Sequence, residues 1–316
     1  MARPSRAETQ AVNRAKILDA ARAQFAARGF GAVKIDEIAE VAGLTRGAVY
    51  SNFPGKRALY FAVLAREPVD VPQLRPATTV KAALSSFALV SVRQHSALAR
   101  DLMPQILAEE SSRTAFAQLT RVTAIMLGLA LERLGPVVAP PFSRVRLAGM
   151  AVTAMQGASQ LADIDGALVE PFDLITACEA LADLQLTDAW VPQAPFVAEP
   201  LDWEPPEAVD ALYGLPVELT GPVAFLGLHR LAELEMVART SAATVVIVLE
   251  EPDELGPLVQ LALTRLGRLL SRSLAPESRP DVRIVVDTSG AIGKAAGLPP
   301  ASDRTTVFVD GGLLVR

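Results

Sequence analysis

Cysteine is nearly absent. Cys178 is the only one in 316 residues, which excludes an internal disulfide framework and fits a reducing compartment. Histidine is almost as scarce. His95 and His229 stand far apart, too few with one cysteine to make a transition-metal site and insufficient for a Ser-His-Asp arrangement. Aromatics make up 5% of the chain, so cores must be built from Ala, Leu and Val. No apolar run reaches about eighteen residues, so no membrane span is expected. The N-terminus is polar and Arg-rich without an apolar centre, unlike a signal peptide. An overall positive charge is missing as well, since the net charge is −5.

What charge there is lies unevenly. Residues 1–66 hold 11 Lys/Arg against 5 Asp/Glu, while the rest hold 19 against 30. A basic head on an acidic body suits one part that meets nucleic acid and another that does not. Residues 1–12 read as a flexible basic arm.

Residues 13–66 organise the chain. An amphipathic helix over 14–28 carries Ile17, Leu18, Ala21 and Phe25, and Gly29 ends it. Two short helices follow, Ile35–Val41 and Thr45–Phe53, joined by Ala42-Gly43-Leu44. Thr45 suits an N-cap, and Gly43 suits the left-handed turn between them. Ile38, Ala39, Leu44, Val49 and Phe53 would lock the pair. This is a helix-turn-helix pattern, whose second helix enters the major groove. Arg46 has the fork that reads guanine, and Gly47 leaves room for close approach. Ser51 can bond bases or sugars. Tyr50, Asn52 and Lys56 have polar tips suited to phosphate.

The run Gly29-Phe30, Ile35, Ile38-Ala39, Ala42-Gly43-Leu44, Gly47, Val49-Tyr50, Asn52-Phe53, Lys56, Leu59 resembles the DNA-binding domain of TetR-type transcriptional regulators. The resemblance implies an all-helical homodimer. A small DNA-reading head precedes a larger helical domain for ligand binding and dimerisation. Its DNA contacts would include Lys34, Thr45, Arg46, Gly47, Tyr50, Ser51, Asn52 and Lys56. Two positions depart from the pattern: Asn52 stands where histidine is more usual, and Lys34 where a threonine N-cap is often found. A helix over Lys56–Arg66 would link the head to the ligand domain.

Residues 67–189 are expected to form that domain, after a Pro68–Pro76 linker. Helices are predicted at Val80–Gln94, Ser96–Glu109 (kinked at Pro104), Ser112–Leu134, Phe142–Ala162 and Glu170–Leu186. Pro140-Pro141 would start the fourth. In the family the last two helices form a four-helix bundle with the partner subunit, and the small residues Gly149, Ala154, Gly157 and Ala158 suit close approach. Phe87, Met103, Gln105, Phe116, Met126, Met155 and Gln156 are candidate ligand contacts for a largely apolar effector. Cys178 reads as a small buried hydrophobe. Asp163 and Asp165 read as turn residues before Gly166.

Residues 190–212 read as a Pro-rich linker with Trp190 and Trp203 as possible anchors. Residues 213–316 change class. Apolar strands at Val223–Leu228, Thr244–Leu249, Val282–Val286 and Thr306–Asp310 alternate with helices at His229–Arg239, Leu255–Leu274 and Ser289–Ala296. A Gly311-Gly312 hairpin leads into Leu313–Arg316. This is an α/β pattern. The stretch VRIVVDTSGAIGKAAGLPPASDRTTVFVDGGLLVR resembles the thioredoxin and peroxiredoxin fold. It lacks Cys-x-x-Cys, with His229-Arg230-Leu231-Ala232 standing there, and Arg304 stands near the family's cis-proline. Redox catalysis is therefore not expected. Gly290-Ala-Ile-Gly293-Lys294 has the wrong spacing for a phosphate loop.

The sequence thus predicts a mainly α protein with a C-terminal α/β domain. It would be a cytoplasmic, dimeric, ligand-responsive DNA-binding regulator of repressor type acting on a near-palindromic operator, with no catalytic residues, cofactor, metal or membrane partner. Two alternatives stand beside it. One is a regulator controlled by a protein or second ligand through residues 213–316. The other is a thioredoxin-type enzyme, disfavoured by the missing cysteines.

Overall fold

The computed structural model describes residues 5–68, 71, 73–94, 96–135, 143–184, 186, 198–200, 204–240, 244–298, 306–310 and 313–315. Trp190, Trp203, His95, Arg304, Pro140-Pro141 and the Gly311-Gly312 turn lie outside these residues. The architecture is mainly helical, with a sheet at the C-terminal end.

The first helix, α1 (Arg6–Ala32), starts earlier than composition suggests. Ser5 accepts the Glu8 N–H at 3.2 Å while Glu8 accepts the Ser5 N–H at 2.6 Å, a capping box. Most of the expected basic arm is therefore helical. At Gly29 φ is 74°, a left-handed break. There the Phe30 N–H donates to Asp101 Oδ2 at 2.7 Å. Helices α2 (Ile35–Val41), α3 (Arg46–Tyr50) and α4 (Lys56–Arg66) complete the head. Tyr60, fully buried on α4, stacks edge-on against Phe25 and donates its hydroxyl to the Leu98 carbonyl at 2.6 Å.

The bundle follows as α5 (Val80–Arg93), α6 (Leu102–Leu107), α7 (Glu110–Leu134), α8 (Val145–Ile164) and α9 (Pro171–Leu181). The predicted Ser96–Glu109 helix is a 3-10 turn at Ala97–Ala99 followed by α6. Pro104 sits in the first turn of α6, where its missing N–H costs nothing. Helix α7 is long and apolar enough to cross a membrane by length and composition alone. Here it packs on α8 and is half buried in the bundle. Gly128 lets it approach α8, since a Cβ there would lie 2.5 Å from Val145 Cα.

The expected linker contributes strands. The order is β1 (Ala198–Pro200), β2 (Ala208–Val209), β3 (Pro216–Val217), β4 (Val223–Gly227), a 3-10 turn and α10 (Leu234–Thr240), β5 (Thr244–Val248), α11 (Pro252–Ser273), β6 (Arg283–Asp287), α12 (Ala291–Ala295), β7 (Thr306–Asp310) and β8 (Leu313–Val315). The main sheet is ordered β1-β8-β7-β4-β5-β6. Strands β4, β5 and β6 are parallel neighbours, β7 pairs antiparallel with β4, and β1 pairs antiparallel with β8.

Crossovers between parallel neighbours are right-handed as a rule, and two that step the same way, β4 to β5 to β6, would carry α10 and α11 to one face. That face carries Ala224, Leu226, Val245, Ile247 and Ile284, which join one continuous apolar cluster with the head and bundle. The other face, with Val223, Phe225, Val246, Val248 and Val285, builds a small second core with Ala208, Val217 and Ile292. Cover on both faces explains the unbroken β-branched run of β5. Helix α11 packs on α4, α5 and α7. Arg239 of α10 pins the assembly: it donates to Glu132 at the end of α7 at 2.8 Å and to Ser143 at 3.0 Å.

Candidate nucleic-acid interface and bundle cavity

The second helix of the head is capped as expected, with Thr45 accepting the Ala48 N–H at 3.2 Å. Val49 and Phe53 are buried against Ile38 and Ala39, and Gly43 adopts φ 65°. The opposite face holds Thr45, Arg46, Gly47, Tyr50 and Ser51, all exposed. Arg46 reaches Asp36 at 3.4 Å and lies 5.5 Å from the Tyr50 ring. Both partners are solvent-facing, so the guanidinium is cheap to free. Lys34 is exposed at the start of α2. Its missing hydroxyl cap is offset from the other side, because Glu37 accepts the Lys34 N–H at 2.8 Å. Five charged or polar side chains, Lys34, Thr45, Arg46, Tyr50 and Ser51, are thus exposed around Gly47.

Two expected phosphate contacts have other work. The Lys56 ammonium is half-buried and donates to the carbonyls of Phe30 and Val33, each at 2.9 Å, with the Phe30 ring 4.2 Å away. Burial lowers its pKa, partly offset by Asp101. It fastens α4 to the end of α1. Asn52 folds back to donate its amide to the Ala48 carbonyl at 2.8 Å, closing the short α3. Both side chains thus make hydrogen bonds within the head. Sequence reasoning missed Arg14, whose guanidinium donates to the Asn52 carbonyl at 2.8 Å and covers the Phe53 ring at 4.2 Å. Its pattern gave no sign, because a basic residue in a first helix reads as solvated.

Between the bundle and α11 lies a partly open cavity of about 190 Å³. Met103, Phe116, Met155 and Gln156 line it as expected. Phe87 and Met126 do not. Both are fully buried in the core, and Gln105 is half-buried on α6 outside the lining. The missed wall is α11, which contributes Leu258, Leu261, Ala262, Arg265, Leu266 and Leu269. Cys178 is buried in α9, and burial raises its thiol pKa. Among the described residues no three His, Cys, Asp or Glu groups gather as metal ligands.

These features have counterparts. The family profile described as "Bacterial regulatory proteins, tetR family" matches residues 17–63. Residues 17–63 form a tetR-family helix-turn-helix domain. The HTH-type transcriptional regulator SrpR of Pseudomonas putida is 48% identical over 65 residues, covering 21% of this chain and 30% of that protein. The HTH-type transcriptional repressor Rv1474c of Mycobacterium tuberculosis (strain ATCC 25618 / H37Rv) is 40% identical over 60 residues, covering 19% and 32%. The chain thus spans about a third of the length of these curated relatives. Among solved structures, Salmonella enterica GusR is 21% identical, with a TM-score of 0.35, over 54% of this chain and 96% of that one. These two relatives are described as an HTH-type transcriptional regulator and an HTH-type transcriptional repressor, and the matches to them span 65 and 60 residues of this chain. The thioredoxin resemblance of residues 213–316 has no support in these comparisons.

Proposed function

We propose that the chain is a cytoplasmic, non-enzymatic, homodimeric transcriptional repressor whose affinity for a near-palindromic operator is set by a small effector in the bundle cavity. The exposed face of α3, with Arg46, Gly47, Tyr50 and Ser51 above a buried lock, carries the reading. Arg46 reads base edges, while Thr45, Tyr50, Ser51 and Lys34 meet backbone and sugar.

An unpartnered apolar face supports the dimer. Met150 and Ile164 of α8 and Phe172 of α9 are exposed, Ile164 and Phe172 at 77% and 75%. Leu161 and Leu168 of the same helix pair and its connection are exposed as well, and water disfavours so much apolar surface. A second copy would bury it. Effector control follows from α11, which lines the cavity and also packs on α4, the helix leaving the head. The C-terminal segment thus serves regulation as a wall of the effector site. A ligand acts only through different affinities for the two head arrangements.

The test is a footprint of the purified chain on DNA flanking its own gene, across a salt series. Protection of a near-palindromic site that weakens steeply with salt is expected. Absence of protection at low salt, on that DNA and on a random-sequence pool, contradicts the reading.

A further inference from the structure

Along α11 the cavity-lining positions are 258, 261, 262, 265, 266 and 269. This is the spacing of one helical stripe. Five of the six are Leu or Ala, and the sixth is Arg265. Its backbone carbonyl accepts from Gln94 at 3.3 Å. Among the described residues its guanidinium makes no hydrogen bond or ion pair. Burial pushes its pKa down to about 10; Tyr60 and Asp163 pull it back up, and Arg268 adds a further downward push. It stays charged at neutral pH, because the remaining gap of about three units leaves roughly one molecule in a thousand neutral. Arg265 is half-buried in this stripe and feels Asp163 only through space, so its fork of donors still has hydrogen bonds to make, and proteins normally pair such a group.

The cavity supplies the rest of the recognition. Met103, Ile106, Phe116 and Leu119 face the space from α6 and α7. At about 190 Å³ it exceeds the roughly 150 Å³ that accepts a benzene ring. The guanidinium fork takes a planar carboxylate bidentately, and a carboxylate adds little volume to an apolar body in a cavity of this size. Asp163 also lines the cavity, so a second negative charge on the ligand would be repelled there, while Arg265 is the one cation among the described lining residues.

We propose that the cavity binds a small, mostly apolar monocarboxylate, an aryl or short-chain alkyl acid, with its carboxylate on Arg265. The assignment rests on the reading of this cavity as the effector site. The ligand then grips the helix that touches α4.

The test uses the full chain and four probes: benzoate, phenylacetate, hexanoate and octanoate, with benzamide and benzylammonium as neutral and cationic controls. Calorimetry and thermal shift should detect at least one acid and rank it above both controls. Arg265→Gln should weaken that acid at least about tenfold and leave benzamide binding unchanged. Arg265→Lys, which keeps the charge but loses the fork, should fall between, and it covers a failure of the glutamine variant to fold. Equal acid binding by the wild type and the variants, stronger binding of benzylammonium, or no binding of any acid at millimolar concentration overturns the assignment. Operator release is read separately. Arg265-dependent acid binding without release refutes the effector reading and keeps the ligand class. Release by a neutral compound, unchanged in Arg265→Gln, keeps the effector reading and refutes the ligand class.

Discussion

Arg57 of α4 and Glu254 of α11 lie 197 positions apart and meet through Arg57 Nε at 3.2 Å, both partly buried. Glu109, just before α7, shares the same guanidinium at 3.2 Å. One arginine therefore ties the helix leaving the DNA-reading head to the bundle and to the C-terminal segment. Substituting Arg57 or Glu254 by alanine should each cost about 1 kcal/mol. The double-mutant cycle should give a coupling of about the same size, measured by urea denaturation. Additive losses would mean the contact carries no coupling.

Arg46 and Lys56 should separate cleanly. Arg46→Ala should relax base preference in the operator while folding is unchanged. Lys56→Met leaves the Phe30 and Val33 carbonyls without their donor and should lower thermal stability by about 1–3 kcal/mol, with the salt slope of DNA binding unchanged. A slope reduced by about one unit would restore Lys56 as a phosphate contact.

Cys178 should be inert in the native protein. Burial raises its thiol pKa and covers the sulfur, so the thiol should react on unfolding rather than in the native protein. A disulfide-exchange reagent added at pH 7.5 should react far more slowly with the folded chain than with the chain in denaturant. Equal rates would show that the α9 site is open.

Removing residues 196–316 should not leave a working smaller regulator. Helix α11 buries Leu255, Leu258, Leu261, Leu263, Leu266 and Leu270, many of them against the apolar cluster shared with the head and bundle. The shortened chain is expected to lose cooperative thermal unfolding by circular dichroism. A sharp transition near that of the full chain would show that the bundle stands alone.

Local signals made the head legible. The Thr45 cap, the Gly43 turn and the apolar lock are all set within about twenty residues, and the structure reproduces them. Ser5-x-x-Glu8 was equally local, but its basic surroundings read as an arm. The inward turn of Lys56 depends on carbonyls more than twenty residues away, which no pattern near Lys56 reveals. The strands of residues 213–316 were visible as β-branched runs, whereas their order was not, because pairing is decided by crossovers. Arg265 was detectable as a charge within an apolar stripe. Which body that stripe faces is a long-range fact, and so the six lining positions on α11, Arg265 among them, went unread while Met103, Phe116, Met155 and Gln156 were found.

The most direct measurement is selection of bound sequences from a pool of random DNA duplexes by the full-length protein, repeated with Phe172→Asp. The account predicts one enriched near-palindrome whose half-sites are separated by about one helical turn or a small multiple of it. It also predicts loss of that enrichment when a charge on the exposed α8–α9 face prevents pairing of two copies. No enriched sequence, or a single half-site bound equally well by the variant, would contradict it.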